Sequence, residues 1–252
     1  DYLIFRNLDV YGWNGSCVSS IDSDYCTFDG LNCYSAYITG IYLKQRSDHN
    51  EILNCEFWDN GHGGIEMAGA HFNWVHHCNF TRRDMGDGFG GNGAHLWLGP
   101  VGQNADDNIV EHNTGFRTLS GYISSCFISV TGSRNIIRHN SVIDYRGAGI
   151  ALQDGADNVV SGNLVYRTFG PCIWVFSAAI EAGGNIIRYN DFFSDNIGTS
   201  FGWDDEWYDD INEWERVSGQ SDNFDANPRC IAPLEEDLQI TIDSPSIDAG
   251  DP

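Results

Sequence analysis

The stretches that decide the fold are Asn135-Ile-Ile-Arg-His-Asn140 and Asn185-Ile-Ile-Arg-Tyr-Asn190. Four more copies read alike: Asn50-Glu-Ile-Leu-Asn-Cys55, Asn73-Trp-Val-His-His-Cys78, Asn108-Ile-Val-Glu-His-Asn113 and Asn158-Val-Val-Ser-Gly-Asn163. Weaker copies start at Tyr2 and Tyr25, and the steps between starts are 23, 25, 23, 35, 27, 23 and 27 residues. Each copy is a β-branched strand, a turn residue and a further short strand such as Ser141-Val142-Ile143. A third short strand follows, as in Gly64-Ile-Glu-Met67, His95-Leu-Trp-Leu98, Gly149-Ile-Ala-Leu152 and Cys172-Ile-Trp-Val175. Apolar residues alternate within these runs, the period of a strand with one buried face. No helical periodicity of useful length competes, which excludes helical repeats.

A repeat of roughly 25 residues built from short strands is one coil of a parallel β-solenoid, each coil hydrogen-bonding to the next at about 4.8 Å. The expected fold is therefore all-β: a right-handed parallel β-helix of about eight rungs over residues 1–193, followed by an acidic and aromatic loop and an irregular closing segment over 194–252. Asn113, Asn140, Asn163 and Asn190 fall at one turn, where stacked amides bond along the stack and Asn tolerates the left-handed backbone. His76, His112 and His139 read as members of such stacks. Ile136, Ile137, Val142, Ile150 and Leu152 are expected to supply most of one rung's buried side chains.

These copies resemble the repeat of the pectate-lyase-like right-handed parallel β-helix superfamily. The tail, Asn223-Phe-Asp-Ala-Asn-Pro-Arg-Cys-Ile-Ala-Pro233 and Asp243-Ser-Pro-Ser-Ile-Asp-Ala-Gly-Asp-Pro252, resembles the closing segment of secreted bacterial β-helix proteins. The resemblance implies fold and secretion. That superfamily contains lyases, hydrolases, adhesins and structural proteins, so the resemblance leaves activity open. Its lyases use Arg or Lys as base, often with calcium on a uronate carboxylate, and its hydrolases use paired carboxyls. Gly61-His-Gly-Gly64 only partly matches the polygalacturonase pattern, whose paired Asp motif is missing.

Composition narrows the partners. The 252 residues carry 13 Lys plus Arg against 36 Asp plus Glu, a net charge of −23, and Lys44 is the only lysine. Such a chain lacks the cationic face that nucleic acid or an anionic membrane requires. The longest apolar runs, such as Cys172–Phe176, are far shorter than a membrane span. The chain opens at Asp1 inside a strand-like run and reads as a mature or trimmed product. Eight cysteines without CxxC spacing point to an oxidising, extracellular or cell-surface setting. Cys55 and Cys78 are expected as stacked neighbours able to bridge, with Cys17 and Cys26 a looser second pair.

The repeat is broken in one place above all. The step from Asn73 to Asn108 is 35 residues, and its excess lies in the Gly-rich stretch from Thr81 to His95. Insertions on one face of a solenoid carry function more often than its regular rungs. Aligning the third strands gives an outward column of Tyr42, Glu66, Trp97, Ser129, Ala151 and Trp174, flanked by Lys44. Aromatic faces beside carboxyl groups suit a polysaccharide. Glu66 and Asp87 are the acid and base candidates and Asp84 a positioning or cation ligand. His95 and Lys44 are further catalytic candidates, and Arg83 is a partner for a substrate carboxylate. Tyr42, Trp97 and Trp174 are the binding surfaces. Asp204, Asp205 and Glu206 are dense hard-oxygen ligands that fit calcium or, equally, a lateral flap. The rival reading is a non-catalytic structural protein whose solenoid ends stack end to end.

Overall fold

The computed structural model describes residues 2–12, 14–82, 95–100, 102–118, 126–145, 147–193, 201–232, 237–241 and 243–246. Three parallel sheets run the length of the chain and form the sides of a prism of about seven turns. Sheet A starts at Ile4–Arg6 and ends at Ile186–Arg188. Sheet B starts at Asp9–Tyr11 and ends at Asp191–Phe193. Sheet C starts at Val18–Ile21 and ends at Phe201–Trp203. Every step within these three stacks is parallel and joins one coil to the next. A short antiparallel strand, Glu206–Tyr208, then folds back on sheet C.

The strands are three to six residues long because only their middle positions face the core. In sheet A, Ile52, Val75, Val110, Ile137, Val160 and Ile187 stack inward and are fully buried. Val142, Ile150 and Leu152 are equally buried, as the alternation demands, but Ile136 is half-buried. It occupies an outward position of its strand, one residue before Ile137, so it cannot share the core. Where one layer carries a large ring, the neighbouring layer shrinks. A Cβ on Gly115 would lie 2.3 Å from the Phe127 ring, and the core is packed too tightly to accommodate it.

Two polar ladders line the corners. Asn113, Asn140, Asn163 and Asn190 stack between sheets A and B. Each side-chain oxygen accepts the backbone N–H of the coil before it, at 3.0–3.1 Å. Each amide nitrogen donates to a strand carbonyl in that same preceding coil, such as Asn140 Nδ2 to the Val110 oxygen at 3.0 Å. A second ladder runs before sheet A through Asn50, Asn73, Asn108, Asn135, Asn158 and Asn185. The residue before each first-ladder asparagine is left-handed: His112, His139 and Tyr189 have φ of 54°, 54° and 56°. The histidine stack is His77, His112 and His139, with ring centroids 5.2 Å apart. His77, not His76, is its first member, because His77 holds the turn and His76 ends the strand.

The cysteine expectation is corrected. All eight cysteines are free thiols. Cys55 and Cys78 do occupy consecutive ladder positions. They stand in for asparagine there: the Cys55 sulfur accepts the Leu31 N–H at 3.4 Å, and Cys78 donates to the His76 carbonyl at 3.4 Å. Side chains that run parallel across one rung suit this ladder bonding better than the torsion of a disulfide. Cys17 and Cys26 are not neighbours. Cys17 precedes sheet C and bonds to the Tyr34 carbonyl, while Cys26 precedes sheet A and bonds to the Asp24 carbonyl.

The C-terminal end of the stack is covered. A helix, Ile211–Ser218, is capped by Asp210, whose side chain accepts from the Asn212 and Glu213 amides, and it buries Trp214 against Phe201. Gln220, Asp222, Asn223 and Phe224 accept the outward N–H groups of the last coil. The last strands of sheets A and B thus have their outward N–H groups taken, while sheet C ends on the antiparallel strand Glu206–Tyr208. The first coil, by contrast, exposes Tyr2, Leu3, Ile4, Leu8 and Tyr11.

Candidate functional site

Pairing within sheet C brings the expected column together. Tyr42 pairs with Glu66, Glu66 with Trp97, Trp97 with Ser129, Ser129 with Ala151, and Ala151 with Trp174. The six residues stand one above another on the outer face, one per coil. The strand Gly63–Ala68 places Glu66 outward between the inward Ile65 and Met67, which are fully buried.

Glu66 is the unusual group. It is only 8% exposed. Burial pushes its carboxyl above the usual glutamate range, while the Tyr42 hydroxyl, His62 and Lys44 pull against that shift. Tyr42, the neighbour of Glu66 in the column, is itself pushed up to about 12 by burial and by the Glu66 carboxylate. The Lys44 ammonium sits 3.9 Å from the centre of the Tyr42 ring, a cation–π contact that holds the cation beside the carboxyl. A buried carboxyl beside a phenol and an ammonium, held above its usual range, is a candidate for proton transfer.

Further along the column the protein leaves polar atoms without partners. Trp97 Nε1, Ser129 Oγ and Trp174 Nε1 are all buried and none has a hydrogen-bond partner. Trp97, Trp174 and Phe176 pack around Cys126, Ala148 and Ala151, so the column is an aromatic-walled strip over a floor of small residues. Native structures rarely orphan buried polar groups, and three of those present fall in this one column. Trp214 Nε1 and the Asn79 side-chain oxygen are orphaned too, but they lie in the end cap and on sheet B.

A pocket opens at the corner between sheets B and C, lined by Trp58, Asp59, Asn60, His62, Thr81, His95 and Tyr145. His95 stands at the start of its strand, half-buried, with its ring 5.4 Å from Tyr145. His95 is therefore a pocket residue, and His62, four residues before Glu66, lines the same pocket. Arg83, Asp84 and Asp87 lie outside the described residues. Asp204 and Asp205, with φ of 52° and 60°, form the tight turn of the antiparallel hairpin, and Glu206 begins its second strand. Turn geometry thus accounts for that acidic pair. Among the described residues no cluster of three or more His, Cys, Asp or Glu is arranged to hold a metal ion.

His62, Asp59 and Tyr145 were not marked by the sequence. Gly61-His-Gly-Gly64 was visible, but its glycines have an architectural cause: a Cβ on Gly61 would lie 2.1 Å from the Tyr37 carbonyl oxygen. The signal that points to His62 is its place four residues before Glu66, at the corner leading into the same strand.

With this geometry in hand, comparison with known proteins gives the class. The right-handed β-helix region family matches residues 2–193, and the chain belongs to that family. Among solved structures it is similar to ORF18 of Geobacillus virus E2, at 17% identity and a TM-score of 0.51, over 81% of this chain and 40% of that one. It is also similar to an alginate lyase from Paenibacillus sp. str. FPU-7, at 15% identity and TM-score 0.47, over 77% of this chain and 78% of that one. A DFA-IIIase from Arthrobacter chlorophenolicus A6, without its lid, matches at 13% identity and TM-score 0.46, over 75% of this chain and 54% of that one. The chain thus spans well under half the length of the viral protein. At these identities the likeness is one of fold. A search of curated proteins gave no match.

Proposed function

We propose that this chain is a carbohydrate-active protein that binds a polysaccharide along the outer face of sheet C and cleaves it there, with Glu66 as the proton donor. The observation that carries the reading is the buried Glu66 carboxyl, raised by burial and held between Tyr42, Lys44 and His62 on an aromatic column. Lyase and hydrolase chemistry share one step that such a group serves: protonation of the glycosidic oxygen as its bond to the sugar breaks. Burial raises the Glu66 carboxyl above its usual range and so favours the acid form that this donation needs. Trp97 supplies an apolar face for a sugar ring, and the orphaned N–H groups of Trp97 and Trp174 with the Ser129 hydroxyl are the groups offered to sugar oxygens.

The test is Glu66→Gln against a panel of neutral and uronate polysaccharides. Release of reducing ends is followed for hydrolysis, and ultraviolet absorbance of an unsaturated product for elimination. The variant keeps the shape of Glu66 but cannot donate the acid proton. Its rate is expected to fall at least about 100-fold with an unchanged melting temperature. A variant as active as the parent removes Glu66 from the chemistry.

A further inference from the structure

Sheet A turns a second equipped patch to solvent, on a different side of the prism from Glu66. Trp74 points outward from the strand Trp74–His76 and is 39% exposed. It is nonetheless held firmly. One face of the indole lies on the His76 ring, with centroids 4.0 Å apart and planes 29° from parallel. The Nε1–H donates to Glu111 at 2.9 Å. His76 is pinned in turn by Glu51 at 3.1 Å and His77 at 2.8 Å, and Glu111 accepts from Arg138. Both anchors, His76 and Glu111, are buried. Burial pushes the Glu111 carboxyl up, but the Arg138 and Trp74 hydrogen bonds outweigh it and keep the carboxyl below its usual range. The orientation of the indole is therefore set before any ligand arrives, which removes an ordering cost from binding.

Two groups of other outward aromatics on the solenoid are differently placed. Tyr11, Tyr34 and Trp58 stack on one another at 5.6 and 4.5 Å, and Tyr25, His49 and Phe72 at 4.9 and 5.0 Å. Those rings cover each other's faces and offer mainly edges. Trp74 has Glu51 and Ile109 as its column neighbours, so no ring from an adjacent coil covers the face turned away from His76.

We propose that Trp74 is the platform of a second saccharide-binding site, which takes one pyranose ring of a neutral polysaccharide on its open indole face. The ligand class rests on the carbohydrate-active reading of sheet C. With its N–H already committed to Glu111, the indole recognises by its face alone, and the C–H face of a pyranose matches it. The rim offers hydroxyl partners: the partly exposed Glu51 carboxyl and the Arg138 guanidinium, whose Nε alone is engaged by Glu111. Two carboxylates beside the ring, on a chain of net charge −23, repel a polyanion and favour a neutral chain. A site this far round the prism from Glu66 tethers the protein to its polymer and takes no part in cleavage.

The experiment is affinity electrophoresis through gels containing a neutral glucan, xylan or mannan, with alginate and polygalacturonate as acidic controls. Variants are made in the Glu66→Gln background so that the polymer stays intact. Trp74→Ala is expected to weaken retardation by a neutral polymer at least about tenfold, a difference of about 1.4 kcal/mol. Trp74→Phe, which keeps an apolar face and guards against a folding artefact, is expected to retain part of the affinity. Retardation of Trp74→Ala equal to its parent overturns the proposal. So does the absence of retardation by every neutral polymer, or retardation by the acidic ones alone. Full activity of Glu66→Gln would sink the sheet C reading and leave the Trp74 result standing.

Discussion

The asparagine ladder and the outer column of sheet C run side by side through the same coils, and they treat polar atoms in opposite ways. Along the ladder, Asn140 accepts from the Asn113 backbone and side-chain N–H groups and donates to Val110, Arg138 and Asn163. Every one of those partners belongs to the protein. In the sheet C column, Trp97, Ser129 and Trp174 bury donors that the protein leaves unpaired, and Glu66 keeps a carboxyl where ionisation is penalised. Both columns repeat once per coil, so repetition alone does not separate scaffold from site. Satisfaction of the hydrogen-bonding groups does: a scaffold closes its own network, and a site holds groups in reserve at a cost in stability.

The sharpest way to break this comparison is to delete one member of each column. Asn140→Ala leaves buried N–H and C=O groups without partners in two adjacent coils. It is expected to cost about 3–5 kcal/mol in chemical denaturation. Ser129→Ala removes a hydroxyl that pairs with nothing, and its stability is expected to stay within about 0.5 kcal/mol of the parent or to rise slightly. Equal losses from the two variants would erase the distinction.

A smaller effect sharpens it. Asp191, on the last coil of sheet B, is 3% exposed and lies between the two cases. Its carboxyl accepts from Ser246 at 2.6 Å and from the Ala226 amide at 3.3 Å. Burial still pushes it up to about 6, with Asp225 adding to the rise. A carboxyl whose folded-state pKa is raised binds its proton more tightly when folded. Its stabilising contribution is full below about pH 4 and is lost as pH rises through about 6. Over that window the loss is about 3 kcal/mol. Asp191→Asn is expected to remove most of this pH dependence in melting curves taken between pH 4 and 7.5. An unchanged slope would mean that the Ser246 and Ala226 bonds already compensate the charge.

The fold was legible because a solenoid repeats its message. Ile137, Val160 and Ile187 bury the same position in successive coils, and Asn140, Asn163 and Asn190 mark the same turn. The Tyr42 to Trp174 column could be aligned by counting alternate residues alone. What the repeat does not encode is the corner geometry. His62 lines the pocket of His95 from a turn, Tyr145 meets His95 from another coil, and the Cys17 thiol crosses from one corner to the Tyr34 carbonyl of a neighbouring strand. Those juxtapositions depend on how coils of unequal length bend, which alternation does not report. Trp74 was hidden for a different reason: Trp, His and Glu in sheet A read as ordinary outward residues until Glu111, Arg138 and Glu51 are seen to fix the ring.

The most direct test is a titration of the indole-labelled protein, in the Glu66→Gln form, with oligosaccharides prepared from the polymer it binds. The eight tryptophans give separate indole N–H signals in a two-dimensional NMR spectrum. The Trp97 and Trp174 signals are expected to move in proportion to ligand bound, as their N–H groups gain an acceptor. The Trp214 signal, orphaned in the end cap and away from the column, is expected to stay. Movement of Trp214 alone, or no movement at Trp97 and Trp174 on saturation, would contradict the assignment of the sheet C column as the place where this protein meets its ligand.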